Sequence, residues 1–309
     1  MTAGRSPLPG KGDDDGRTSR HRDTAVIVEL LAENAAIRGR LETLEDAAGG
    51  GAAAAAVEYG AAIAAGLRDG FENGDLHLYL QPFVGADRSV LGFEALVRWE
   101  GEDRVLVPPA DFVPVAEYTG LIVDIDAWML EEVCRLLASW SKDERSRELF
   151  IAVNVSEQQL RSGCFAEQVR SALARHGVRP ELLGLEVLEN MIQRDIARTI
   201  EALNELRADG HEISLDDFGV GYSSLGRLKR LPVQNIKIDR SFVEEVAEDP
   251  LDVAIVEAIV RMGRAVGMSS TAEGVETEEQ FVRLRSLGVD RYQGFLFGRP
   301  GPVEDVRFC

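Results

Sequence analysis

Hydrophobic and polar positions follow two rhythms along the chain. Between Thr24 and Asp46, the residues Ile27, Leu30, Asn34, Ile37, Leu41 and Leu44 recur three and four apart. That is the a/d spacing of a coiled-coil seam, with Asn34 at an a position, where a polar residue fixes register. The spacing predicts an amphipathic helix over residues 24–46, read as a dimerising short coiled coil. A helix packed on its own domain is the competing reading, because the run is short for a coiled coil. Residues 1–23 are rich in Gly, Pro and charge and carry almost nothing to bury, so they are expected to be disordered. The stretch DAAGGGAAAAA (Asp46–Ala56) predicts a flexible Ala/Gly linker over residues 47–56, passing into a new helix.

From residue 57 to residue 309 no second linker interrupts the pattern. Short β-like runs are expected at Leu76–Gln81, Gly92–Trp99, Leu149–Val155, Leu183–Glu189, Glu212–Asp217, Gln234–Asp239, Met268–Glu273 and Arg291–Phe297. Helical stretches fill most gaps, at Ile122–Trp140, Ala166–His176, Asp195–Asp209, Leu251–Gly263 and Glu278–Leu287. Eight strands alternating with helices predict an α/β fold, a (β/α)8 TIM-type barrel with a short N-terminal helical extension. An open doubly wound sheet is the alternative. No GxGxxG opens the first unit, which weighs against a dinucleotide-binding fold.

Composition narrows the partners. The chain has 34 Lys and Arg against 53 Asp and Glu, a formal net charge of −19. Such a chain repels polyanions, so a nucleic-acid polymer or an anionic membrane surface is not an expected partner. Cys134, Cys164 and Cys309 are scattered and form no CxxC pair, as expected of a reducing cytoplasm without a disulfide framework or thiolate zinc site. No apolar run of membrane-spanning length and no signal peptide are evident, so a soluble cytoplasmic protein is expected.

The polar residues at or near the predicted strand ends are Gln81, Glu94, Asn154, Glu186, Asp216 with Asp217, Lys237 with Asp239, Glu273 and Gln293. In a barrel these ends converge on one face, where catalytic residues gather. Carboxylates this numerous cannot share a small mouth as bare charges; repulsion and desolvation demand protons or cations. An all-oxygen donor set without His or Cys favours Mg²⁺ or Mn²⁺ over zinc. The adjacent pair Asp216 and Asp217 can serve two neighbouring ions, the arrangement that activates a water for in-line displacement at phosphorus. Any one such acid, taken alone, is more ordinarily a helix cap or a solvated charge. The number of them at correctly spaced strand ends is what points to a site.

The motifs LQPF (Leu80–Phe83), FEALVRW (Phe93–Trp99), VNVS (Val153–Ser156), LEVLE (Leu185–Glu189), DDFGVGYSSL (Asp216–Leu225), IKIDRSFV (Ile236–Val243), AEGVET (Ala272–Thr277) and QGFLFGRP (Gln293–Pro300) occur in order. Together they resemble the EAL-domain cyclic di-GMP phosphodiesterases of bacteria, from about residue 57 to the C-terminus. The resemblance implies hydrolysis of one phosphodiester of cyclic di-GMP to linear pGpG by a water activated by two ions. It implies that Glu94, Asn154, Glu186 and Asp216 bind one ion, that Asp217 holds the second, and that Glu273 binds metal or its water. Lys237 stands where the family's lysine orients or deprotonates the attacking water, with its pKa depressed by neighbouring cations. Gln81, Leu96, Arg98, Asp239 and Gln293 match positions lining the dinucleotide site, and Arg98 can fork onto a phosphate. Phe218, Gly219, Gly221, Tyr222, Ser223 and Ser224 resemble a mobile loop after the fifth barrel strand, which Glu189 anchors and Glu276 supports. A plain Gly-rich turn is the competing reading of that loop.

Leu188 and Val220 stand where the family commonly has Thr, Leu80 replaces an aromatic, and Ser269, Ser270 and Thr271 make one strand unusually polar. None of these removes a ligand. Some EAL domains have lost catalysis and serve as cyclic di-GMP receptors or protein-interaction modules; members of that kind typically lack an acid or the lysine, and here every position is filled. An enolase-like Mg²⁺ barrel enzyme is remote, and no GGEEF-type cyclase motif occurs. The expected assembly is a homodimer; an upstream regulatory partner is compatible with this reading and is not named by it. If residues 24–46 hold the dimer, deleting them is expected to lower the mass in solution to that of a monomer, measured by light scattering.

Overall fold

The structure, a computed structural model, describes residues 52–101, 104–189, 191, 196–219 and 231–307. The expected disordered segment 1–23, the helix 24–46 and the loop residues Val220, Gly221, Tyr222, Ser223 and Ser224 lie outside the described residues. Helix α1 (Ala52–Asn73) begins inside the stretch 47–56 expected as a linker. Alanine has the highest helix propensity of any residue, so Ala52–Ala56 join the helix. Among the described residues, no helix is long and apolar enough to cross a membrane.

Strands β1 (Leu76–Val84) and β2 (Val90–Glu100) form an antiparallel hairpin, with β3 (Leu106–Val107) paired to the far end of β2. Helices α2 (Pro109–Thr119) and α3 (Ile122–Trp140) follow. Next come β4 (Phe150–Asn154), α4 (Glu157–Arg161), α5 (Phe165–His176), β5 (Leu183–Leu188) and α6 (Ile196–Asp209). The chain continues through β6 (Ile213–Phe218), β7 (Asn235–Ile238), α7 (Pro250–Ala265), β8 (Ser269–Ala272), α8 (Glu278–Leu287), β9 (Arg291–Tyr292) and β10 (Gly301–Pro302).

Neighbours run in the order β1-β9-β8-β7-β6-β5-β4-β2, and β1 pairs with β2 to close the ring. The sheet is therefore a barrel of eight strands, and the open-sheet alternative falls. Its first strand differs from a plain (β/α)8 pattern. β1 runs antiparallel to both β2 and β9, while the pairs from β2 round to β9 are parallel. The connection from Gly85 to Ser89 is a tight turn closed by the Gly85 N–H on the Ser89 carbonyl at 2.9 Å, far too short for a parallel crossover. The last strand is also shorter than expected. At Gly294 a side chain would bring Cβ within 2.1 Å of the Val275 carbonyl oxygen, and the chain turns there.

The barrel interior is narrow at its base. The rings of Phe83 and Phe150 stack with centroids 5.6 Å apart, and the Arg291 guanidinium lies 5.2 Å over Phe150 while pairing with Glu212. Space for these groups comes from Gly92 and Gly184 on neighbouring strands. A Cβ at Gly92 would lie 2.4 Å from the Phe150 carbonyl oxygen. The main core joins the outward faces of the strands to the helices. A second apolar cluster packs α1, α2 and the start of α3 around Trp99 and Phe112, whose rings meet edge-on at 5.9 Å. Gly70 of α1 gives Trp99 its seat, since a Cβ there would come 2.5 Å from the indole nitrogen. Gly92→Ala is expected to destabilise the fold by about 3 kcal/mol through overpacking, read as a drop in the thermal unfolding midpoint.

Candidate active site

The barrel topology brings the predicted strand-end residues to one mouth. Glu94 and Gln81 are register partners on the hairpin, Asn154 and Glu186 are partners on β4 and β5, and Leu188 faces Asp216 across β5 and β6. Lys237 of β7 rises in the centre, only 1% exposed. Its Nζ lies 2.5 Å from Glu186 Oε2, 2.7 Å from Glu273 Oε1, 3.3 Å from Asp216 Oδ1 and 3.9 Å from Glu94 Oε2. Gln293 donates to Glu94 Oε2 at 2.6 Å and to Gln81 Oε1 at 3.2 Å, and Asn154 donates to Glu94 Oε1 at 2.9 Å.

This charge distribution decides the protonation states. Burial pushes the Glu186 carboxyl well up, with Glu94 and Asp216 adding repulsion against the pull of Lys237. Burial likewise raises Glu273 to about 8, again opposed by Lys237. For Lys237 itself burial acts downward, but the attraction of Glu186, Glu273, Glu94 and Asp216 outweighs it and holds the amine well above its ordinary value. The expected depression of this lysine requires cations beside it; the chain's own groups keep it charged.

At the end of β6 the ladder with β7 slips between Leu215 and Phe218, and Asp217 adopts a left-handed φ of 53°. The irregularity turns two successive carboxylates toward the mouth, and the Asp217 N–H donates to Asp216 Oδ1 at 3.0 Å. Partial burial, then the charges of Asp216 and Asp239, push the Asp217 carboxyl up. One ligand oxygen from each of Asp216, Asp217 and Glu273 lies within 4.8 Å of the others, a spacing that could hold a metal ion. The donors are all oxygen, which suits a hard divalent cation.

The acid cluster stands between two unlike cavities. The larger, about 500 Å³, is lined by Gln81, Asp239, Glu276 and Gln293 together with Glu94, Asp216, Asp217, Glu273 and Lys237. The smaller, about 220 Å³, is a largely apolar slot walled by Leu96, Arg98, Met129, Asn154 and Leu188. Thus the predicted lining residues divide, with Leu96 and Arg98 on the side away from Asp239. Arg98 donates to the Val97 carbonyl at 2.8 Å and lies 5.7 Å over the Tyr79 ring. Asp239 accepts from the Ser241 N–H at 3.0 Å and caps a short turn. Glu189 accepts from the Gly219 N–H at 3.4 Å, at the start of the expected loop, while its Oε1 is buried without a partner among the described residues. Phe218 is buried, and Gly219 has a φ of 105° beside the Phe242 ring. Glu276 donates its backbone N–H to Gln280 Oε1 at 2.7 Å, so the described residues place it on the cavity wall.

The EAL domain family matches residues 64–300. The chain belongs to that family. The curated relatives include the bifunctional diguanylate cyclase/cyclic di-GMP phosphodiesterase MucR of Pseudomonas aeruginosa, 46% identical over 241 residues that cover 78% of this chain and 35% of MucR. The oxygen sensor protein DosP of Escherichia coli is 38% identical over 248 residues, 79% of this chain and 30% of DosP. The chain thus spans about a third of the length of these relatives. Among solved structures, the PaMucR phosphodiesterase in complex with c-di-GMP superposes with a TM-score of 0.75 at 45% identity, covering 78% of this chain and 98% of that one. The EAL enzyme Bd1971 with cAMP and cyclic di-GMP bound gives 0.76 at 29% identity, covering 81% and 68%.

One residue of this EAL domain was missed from the sequence. Asp126 of α3 lines the slot with Leu96 and Arg98, and its Oδ2 is buried without a partner among the described residues. Burial pushes its carboxyl up to about 7, against hydrogen bonds from Ser156. The signal was available: Asp126 falls beside Ile122, Ile125 and Met129 on the buried stripe of an amphipathic helix. The folded state holds this proton between the ordinary value of 3.8 and about 7, so the group's stability contribution is greatest at low pH and is lost as pH rises through that window. Asp126→Asn, which cannot ionise, is expected to be more stable than the unaltered protein by about 2 kcal/mol at pH 8, with the gain vanishing near pH 4, in urea melts.

Proposed function

We propose that this EAL domain hydrolyses one phosphodiester bond of cyclic di-GMP to linear pGpG with Mg²⁺ or Mn²⁺. The observation that supports this reading most is the mouth itself: every strand-end acid of the resemblance is present, and four of them surround one buried lysine within 3.9 Å. Asp216, Asp217 and Glu273, joined by Glu94, Asn154 and Glu186, would hold two divalent ions. Such ions supply Lewis-acid activation of a water and neutralise charge on the attacking and leaving oxygens.

The chain's own residues then bind and orient. Lys237, held protonated, points an N–H donor into the cluster, which suits orienting the attacking water more than removing its proton. Arg98 offers a planar pair of donors to a phosphate. The slot between Leu96 and Met129 has the apolarity for a purine, and Asp126 is among its lining residues. Guanine carries N–H donors that an Asp126 carboxylate oxygen could accept. Gln81, Asp239 and Gln293 line the wider cavity, where the second half of the dinucleotide would lie. A cytoplasmic homodimer joined through residues 24–46 completes the reading.

The test is hydrolysis by the purified chain, with pGpG resolved by chromatography. Product is expected with Mg²⁺ or Mn²⁺ and none with chelator. Glu94→Ala is expected to abolish turnover by removing a ligand. Lys237→Ala is expected to lower turnover by about a hundredfold while metal still binds. Cyclic di-GMP binding without any product would turn the reading to a receptor.

A further inference from the structure

Inside the barrel, one layer below the acid cluster, lies a polar bridge that the chemistry above does not use. The Asn235 amide nitrogen donates to Ser214 Oγ at 3.2 Å. Its Oδ1 accepts from Thr271 Oγ1 at 3.1 Å and from Ser269 Oγ at 3.0 Å. Ser214, Asn235 and Thr271 are 6%, 2% and 1% exposed. The strand that stood out as unusually polar is therefore committed in two directions, with Ser269 and Thr271 on Asn235 and Ser270 bonded to Asp290 at 2.9 Å.

The placement of these residues is regular. Ser214 stands two residues before Asp216, Asn235 two before Lys237, and Thr271 two before Glu273. Residues two apart on a strand share a face, so each bridge residue precedes one member of the cluster on the same face of its own strand. Asn235 is the register partner of both Ser214 and Ser269, and Lys237 is the partner of Thr271. Above the bridge the backbone ladder is imperfect, because the β6–β7 register slips after Leu215. Asp216 and Lys237 are therefore not register partners; Leu215 with Ile236 and Phe218 with Ile238 pair on either side of them. Three buried polar groups would cost stability unless they bond one another, and here they do so across three strands.

We propose that the Ser214–Asn235–Thr271 bridge is a positioning layer that sets the spacing of Asp216, Lys237 and Glu273, and through it metal affinity and turnover. The proposal rests on the metal-dependent reading given above. Functional groups of this kind need placement to within about 0.5 Å. The contacts of Lys237 with Glu273 at 2.7 Å and Asp216 at 3.3 Å leave little slack before a hydrogen bond is lost.

Thr271→Val removes the hydroxyl while keeping the side-chain shape, and Thr271→Ser keeps the hydroxyl. Both are compared with the unaltered full chain by Mn²⁺ titration calorimetry and by steady-state hydrolysis, with metal-free urea melts to confirm folding. Thr271→Val is expected to weaken Mn²⁺ binding and to lower kcat, each by about tenfold. KM should stay within about twofold, because Leu96, Arg98 and Asp126 lie across the mouth. Thr271→Ser should match the unaltered protein within about twofold in every quantity. Unchanged Mn²⁺ affinity in Thr271→Val, or equal defects in Thr271→Ser, would overturn the proposal. Mn²⁺ binding that depends on the Thr271 hydroxyl in a chain without hydrolysis would retain the positioning layer and remove the phosphodiesterase reading. No Mn²⁺ binding by the unaltered protein would overturn both. Should Thr271→Val fail to fold, Ser214→Ala carries the same comparison.

Discussion

The structure turns on one buried ammonium. Lys237 is the cation around which Glu94, Glu186, Asp216 and Glu273 can be assembled in a dry interior. A carboxylate cluster of this density without a counter-charge would have to take up protons or open to water. The lysine relieves part of that cost, and burial still pushes the carboxyls of Glu186 and Glu273 upward. The residual negative charge is what a hard cation would meet at the mouth. The buried lysine and the acidic group that could hold a cation are therefore two faces of one electrostatic imbalance.

The barrel supplies the geometry for that imbalance. Strand ends from around the ring converge, and their polar side chains meet at one mouth, with β6 supplying both Asp216 and Asp217. The base beneath is closed by Phe83, Phe150 and Arg291, with Gly92 and Gly184 making room. The second apolar cluster matters as well. Pro109, Val113, Ile122 and Ile125 line the slot beside Leu96, and α1 braces the same module through Trp99. The slot is thus formed partly outside the barrel proper.

Much of this was legible in the chain because its signals are periodic. The eight strands and the helices α3, α5, α6, α7 and α8 followed from apolar runs and their spacing, while α2 and α4 did not, and the acids at the ends of the strand runs marked the mouth. What escaped was set by tertiary context. The direction of β1 depends on a turn rather than on any apolar rhythm. Asp126 belongs to no strand end and no motif, and only packing places it on the slot wall. The charge of Lys237 depends on a balance of burial against several carboxylates, which no local pattern encodes. The polarity of Ser269–Thr271 was visible, but its meaning required knowing that Asn235 lies alongside.

The two cavities beside the acid cluster differ in volume, polarity and reading groups. No twofold axis relates them. On the proposed reading, a cyclic dinucleotide of two identical halves, which has such an axis, would offer either half to the slot, and the two outcomes would be indistinguishable. That degeneracy favours the symmetric ring over an otherwise equal ligand with unlike halves by RT ln 2, about 0.4 kcal/mol. Opening the ring would remove the axis, and a linear product would lose this statistical advantage at the moment it formed.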